Sequence, residues 1–290
     1  MRRKLFSIIS LVLFFAVPFS AWGAGGASAL LERNRDHASS ASPLSLGDYG
    51  AAELYRGAFT YSYPLEVLPG RAGMEPRLAV SYNHLSWEDR SILGAGWELG
   101  GVEYIERSTR SGRENLYSNF EFTVHSSLGS GRLLLDSGRS YGLEVESQKV
   151  EWTFVDGQYW RAEDLLGRVF IFGSMNESRL SDSRGTKVFA WYLESMTDLN
   201  RNTITYHYIK DSGAVYLSSI EYGGNMDVPV LNFNRVRLEY ENRPDPWESY
   251  ASGFLVENKK ILKNIVIENL ASGVWNKERE YLLAYSRGDN

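Results

Sequence analysis

The chain has no cysteine in its 290 residues, which excludes a disulfide framework, thiol nucleophiles and thiolate-bound metal. Histidine is scarce, and His37, His84, His125 and His207 lie far apart with no neighbour at ligand spacing, so no local metal motif exists. Long 3.6-residue amphipathic periods are also missing, which removes helix bundles and coiled coils from consideration. There is no excess of positive charge: the formal net charge is −5 and the basic residues are scattered. Nothing would draw the chain to nucleic acid. After the first two dozen residues no apolar stretch approaches the ~20 residues that a membrane helix needs.

What is present is aromatic and apolar. Hydrophobic residues make up 43% and aromatics 13%, enough for a substantial core and weighted toward the ring-bearing types that favour pleated surfaces. At the start, Arg2, Arg3 and Lys4 precede an apolar run from Leu5 to Phe19 that ends in Ala21-Trp22-Gly23. This is the pattern of a secretory signal peptide spanning 1–23, with cleavage between Gly23 and Ala24. Loss of those three cations takes the charge from −5 to −8. Residues 24–46 are small and polar and read as a flexible mature N-terminus. Residues 47–290 then form one β domain. The expected location is secreted, extracellular or periplasmic.

Period-two alternation dominates that domain. In "GAFTYSYPLEVLPGRAGMEPRLAVSYN", Tyr61, Tyr63, Leu65 and Val67 share one face of a strand, and Leu78, Val80 and Tyr82 share one face of the next. Further on, Ile204, Tyr206 and Tyr208 alternate with Thr203, Thr205 and His207. Lys210-Asp211-Ser212-Gly213 then signals a turn, and Ile220 and Tyr222 share a face on the return. Other short runs, among them "RLLLD", "RVFIFG", "RVRLEY" and "EYLLAY", read as strands of a mainly β fold. The expectation is antiparallel hairpins in a curved, shell-like or sandwich-like sheet, with few or no helices. Pro244 and Pro246 in "ENRPDPWESY" read as a strand stop, with Trp247 covering the sheet end.

These residues, in this order, resemble the N-terminal domain of the virulence plasmid B protein family, SpvB. The domain is shared with the B component of insecticidal Tc toxin complexes and is related to the openings of bacterial Rhs and YD-repeat proteins. The resemblance rests on Gly57, Tyr61 and Tyr63, on "LPGRAGMEPRLAVSYN" with Pro69, Gly70, Tyr82 and Asn83, and on "LGAGWELGG" with Gly94, Gly96 and Trp97. It continues through "TDLNRNTITYHY" with Asp198, Asn202, Tyr206 and Tyr208, then Tyr222, then Arg243 and Asp245. It covers about Tyr55 to Tyr285. Two departures stand out: family members continue into propeller, Rhs-repeat or toxin segments, and the "DLNRN" run lacks a Gly that YD repeats carry before Asn. The 47–290 domain therefore reads as truncated on its C-terminal side.

The resemblance implies an exported, non-enzymatic structural module of a toxin-complex or Rhs-like shell, a virulence-associated scaffold that helps to enclose or deliver a C-terminal effector. Its implied partners are downstream shell segments or a toxin-complex component, with no cofactor, no metal and no membrane span after leader removal. On that reading Ile261–Ile267 and Tyr281–Tyr285 are expected to show uncovered apolar faces or open edges. The alternatives are a secreted carbohydrate- or protein-binding β module, marked by exposed aromatics on one strand face, and an ADP-ribosyltransferase. For the last, the chain offers Arg107-Ser108-Thr109-Arg110, a strand triplet without its final serine, and Glu144-Val145-Glu146. A Glu-x-Glu pair also suits a wet strand edge. Asp198, Asn200 and Asn202 are spaced like the start of a calcium loop, but no Gly follows at the sixth position and no Glu at the twelfth. They read as an Asx-rich strand entry.

Overall fold

Residues that alternate with period two and avoid helix formers fold into strands here. The computed structural model describes residues 7–12, 50–53, 58–86, 90–146, 148–228 and 230–287. Gly23, Ala24 and Gly57, the expected cleavage point and first motif glycine, lie outside those residues, as does the 24–46 segment. Among the described residues there is no α-helix, only single 3-10 turns at Arg71–Gly73, His84–Ser86 and Arg113–Asn115.

The first strands are β1 (Ser7–Val12), β2 (Gly50–Glu53), β3 (Ala58–Pro64), β4 (Ala79–Asn83), β5 (Arg90–Ser91), β6 (Gly94–Ala95) and β7 (Trp97–Gly100). A barrel follows from β8 (Tyr104–Arg107), β9 (Phe122–Ser126), β10 (Gly129–Ser137), β11 (Ser140–Leu143), β12 (Val150–Val155), β13 (Tyr159–Asp164), β14 (Val169–Phe172) and β16 (Val188–Thr197). The short β15 (Arg179–Ser181) pairs with β16. The last five strands are β17 (Asn202–Asp211), β18 (Ala214–Asn225), β19 (Asn234–Ser249), β20 (Val256–Ala271) and β21 (Val274–Arg287).

β16 is the branch point of the molecule. Ala190–Tyr192 pair antiparallel with Glu106–Tyr104 of β8 and close the barrel, whereas Ser195–Thr197 pair with Thr205–Thr203 and begin an open antiparallel wing from β17 to β21. Closure removes the edges from one half of the fold. The β2-β3-β4-β7 sheet packs on the wing, giving the sandwich half.

Aromatic side chains fill the barrel. Phe122 lies 4.8 Å from Trp160, 5.4 Å from Phe154 and 5.8 Å from Trp191 between ring centroids, all edge-on, and Phe154 stacks on Trp160 at 4.7 Å. Such pairs add about 0.5–1.5 kcal/mol each beyond area burial. Trp191 Nε1 donates to Gln158 O at 2.7 Å, while the Trp152 and Trp160 indole nitrogens are buried without an acceptor. Packing therefore outweighs two lost hydrogen bonds in this core.

The faces read from alternation are the buried ones: Ile204, Ile220 and Tyr222 are fully buried, and Leu78 and Val80 nearly so. The hairpin turn falls at Ser212 (φ 53) and Gly213 (φ 85), as the Lys-Asp-Ser-Gly signal required. Two expectations fail, the second only in part. Pro244 and Pro246 do not stop a strand, because β19 continues past them to Ser249. The ladder jumps from Asn242↔Lys260 to Trp247↔Asn258, so four residues bulge where the partner strand inserts one, and the prolines sit where no ladder donor is required. Of the two C-terminal strands expected to be open, the first is covered. Ile261–Ile267 lie in an interior strand between β19 and β21, with Ile261, Leu262, Ile265, Val266 and Ile267 all buried. On the outer side of β21, β1 covers Leu282–Arg287, Ser7 opposite Arg287 through Val12 opposite Leu282, whereas Val274–Tyr281 have no ladder partner there among the described residues and Leu282 is exposed.

Candidate functional site

The motif residues divide between two clamps that hold the small sheet on the wing. In the first, the Pro-Gly loop after β3 reaches across. Tyr222 donates its hydroxyl to Leu68 O at 2.8 Å and Asn234 Nδ2 donates to Pro69 O at 3.0 Å. Burial pushes the Tyr222 hydroxyl well above its ordinary pKa, so it stays a donor. Gly70 donates its N–H to Glu75 Oε2 at 2.9 Å, and a Cβ there would lie 1.9 Å from Met74 O. That close approach explains the glycine. Beside the loop, the Tyr281 hydroxyl accepts from Glu66 N at 2.8 Å and lies 3.2 Å from Glu66 O, with its ring edge-on to Tyr63 at 6.5 Å.

In the second clamp, Arg243 from the β19 bulge is buried, pairs with Asp245 at 3.2 Å and donates to Ser91 O at 3.1 Å. Ser91 belongs to the β5–β6 hairpin that carries Gly94, and Leu262 N donates to Ile92 O, so the hairpin is pinned to β19 and β20 together. The remaining family residues form a cross-strand aromatic row: Tyr61 faces Tyr82, Tyr82 faces Trp97, and the Tyr82 and Trp97 rings are 5.2 Å apart. Gly96 (φ 75) lies under that row, its Cβ position 2.8 Å from the Tyr82 ring, and its carbonyl accepts from Asn83 N.

Asp198 and Asn202 do something local. Asp198 Oδ1 accepts from Asn202 N and Oδ2 from Asn202 Nδ2, both at 2.8 Å, around Arg201 at φ 65. The carboxylate is consumed by a turn, in keeping with an Asx-rich strand entry. Tyr208 donates to Leu193 O at 2.6 Å inside the core.

The structure also gathers a cleft that no motif announced. It has a volume of about 560 Å³ at the mouth of the barrel, and its wall includes Glu75, Glu98, Glu103, Tyr104, His125 and Tyr206. His125 stacks on Tyr104 at 4.5 Å and its Nε2 lies 3.4 Å from Glu106 Oε1, while Ser126 Oγ donates to Glu103. Burial first, then Glu106 and Glu98, push the Tyr104 hydroxyl up to about 12. The serine is paired with a carboxylate and not with the imidazole, and the arrangement offers hydrogen bonds to a polar guest. Its walls come from well-separated segments, which is why spacing gave no sign of it.

The transferase-like residues are committed elsewhere. Arg107 donates to Val188 O, Leu116 O and Asn119 O, and its guanidinium lies 5.2–5.5 Å from the Tyr117, Phe122 and Trp191 ring centroids, capping the aromatic core. Desolvation lowers its pKa, opposed by Tyr117 and Tyr141. Ser108 is buried, Glu144 lies 3.8 Å from Arg132, and Glu146 sits beside Gly142. Among the described residues no cluster of three His, Asp or Glu is arranged to hold a metal ion.

This barrel-plus-sandwich fold occurs in known proteins. A family model described as "SpvB: Salmonella virulence plasmid 65kDa B protein" matches residues 139–222, from the β10–β11 turn to Tyr222 of β18. Over those residues the chain is similar to SpvB. The solved N-terminal domain of effector protein SpvB from Salmonella typhimurium strain LT2 superposes with a TM-score of 0.59 at 16% identity, over 79% of this chain and 98% of that one. A chain of the Photorhabdus luminescens Tc holotoxin pore matches with a TM-score of 0.68 at 18% identity, and TcdB2-TccC3 with 0.64 at 18%. Each covers 80% of this chain, which spans only 14% and 15% of those two. At such identities the likeness is one of fold. No curated protein matches the sequence.

Proposed function

We propose that this chain is an exported, non-enzymatic structural module of a toxin-complex or Rhs-like shell, contributing β-sheet that helps to enclose or deliver an effector. The observation that carries this reading is the likeness of most of the chain to both the SpvB N-terminal domain and a part of much longer Tc chains. The side chains support it. Arg107, the residue best suited to gripping a dinucleotide, is held by three carbonyls and three rings, and the motif tyrosines and Arg243 act as clamps between layers. The leader-like start supports export, and no helix among the described residues is long and apolar enough to cross a membrane.

The test is transfer of labelled ADP-ribose from NAD to actin and to general protein acceptors by the purified chain. No transfer is expected. Transfer that disappears in Glu146→Ala would overturn the non-enzymatic reading. The polar cleft at the barrel mouth favours a second reading, a binding module for a small polar ligand or a peptide. The expected mark of a glycan-binding face does not favour it: the large aromatics exposed among the described residues are Phe120 and Tyr250, which share no strand.

A further inference from the structure

β21 parts from its inner neighbour. Its ladder with β20 begins at the hairpin turn, Ala271 opposite Val274, and ends with Asn264 opposite Leu282. From Leu282 to Arg287 the ladder partner is β1, running antiparallel with six matched residues and no register break. β20 meanwhile turns its backbone to another element, Leu262 N donating to Ile92 O in the β5–β6 hairpin. The last residues of β21 therefore form an arm, anchored by buried Tyr281 and Leu283 and by a hydrogen bond from the Tyr285 hydroxyl to Leu262 O. Its main-chain pairing comes from residues 7–12.

The strand on that arm, Ser-Ile-Ile-Ser-Leu-Val, carries no charge and lies inside the run that reads as a secretory leader. A leader is removed on export. Once it is gone, an edge of unpaired N–H and C=O groups remains on a sheet whose inner face is already packed, which is the condition under which a sheet accepts a strand from elsewhere.

We propose that the Leu282–Arg287 arm of β21 is a strand-accepting surface, held by Ser7–Val12 in the unprocessed chain and vacated on leader removal for an uncharged, apolar, extended segment that adds antiparallel. The proposal rests on the export reading for its trigger and on the pairing of β1 with β21 for its geometry. The occupant is defined by what the arm now holds: six residues, no charge, apolar at four positions. Main-chain hydrogen bonds supply most of the attraction, so a new occupant needs β-character more than a particular sequence. By masking the edge before export, the leader would keep newly made chains from pairing with one another.

Export and edge are tested separately. Mass spectrometry of the exported product should find Ala24, or a residue within two positions of it, as the N-terminus; retention of Met1 there overturns the trigger. The edge is tested on the full chain. Successive N–H groups of a strand point to opposite sides, so one of Ile9 and Ser10 donates toward β21, and the double variant Ile9→Pro/Ser10→Pro removes that donor and disrupts the ladder. Hydrogen exchange should then speed up at Leu283–Arg287 by roughly tenfold or more while β17–β20 keep their protection. Adding the synthetic peptide Ser-Ile-Ile-Ser-Leu-Val should restore slow exchange at those amides. Unchanged exchange in the proline variant, or fast exchange that the peptide does not slow, overturns the strand-accepting surface.

Discussion

Arg107 illustrates how far a single residue's meaning depends on its surroundings. In the sequence it opens an Arg-Ser-Thr run that invites a dinucleotide; in the fold its guanidinium satisfies three carbonyls at the end of an aromatic plug. Lysine keeps the charge but not the planar fork. Arg107→Lys is expected to lower stability by about 2 kcal/mol through carbonyls left without donors, measured by urea unfolding. An unchanged midpoint would mean that water replaces the guanidinium. Glu239 gives a pH-dependent counterpart. Its hydrogen bond from Arg237, then that from Asn264, hold its carboxyl below the ordinary 4.5. A depressed carboxylate stabilises the fold above its unfolded pKa, and that contribution is lost as pH falls through the folded value. Glu239→Gln should therefore flatten the decline of Tm from about pH 5 downward; a decline as steep as before would assign the acid sensitivity to other groups.

At the scale of elements, alternation made most of the sheet legible, because a half-buried strand writes its inner face into every second residue. The faces of Tyr61 to Val67, Leu78 to Tyr82, and Ile204 to Tyr208 could be read directly, and so could the Asp211–Gly213 turn. Pairings between distant segments could not. Closure of the barrel depends on Ala190 meeting Glu106, and neither segment carries a local mark of the other. The β19 bulge was misread for a related reason: proline denies a ladder bond, yet here the extra residues remove the need for one. The cleft was hidden because its walls are assembled by the tertiary fold. Of the family residues, Gly96 combines a positive φ with a close ring contact. Gly96→Ala places a Cβ at φ 75 against the Tyr82 ring, and strain alone should cost about 1–2 kcal/mol. Thermal unfolding should show the loss, with the β4–β7 amides exchanging faster than those of the barrel. Equal loosening of both halves would contradict the division into barrel and sandwich.

The whole molecule joins a closed half to an open one. Barrel strands have no edges to offer, and their aromatic interior makes that half rigid; the wing ends in β21, whose outer side takes a strand that is not part of the meander. On the proposed reading, one half is finished and the other is the half that extends. The central claim, membership of a larger shell, is tested most directly by isolating the tagged chain from the cells that produce it and identifying what is cross-linked to it by mass spectrometry. The account predicts cross-links between the wing, β17 to β21, and a polypeptide carrying YD repeats, in an assembly much heavier than the chain's 32.9 kDa. A free monomer of the leaderless chain, with no such polypeptide attached, would contradict it.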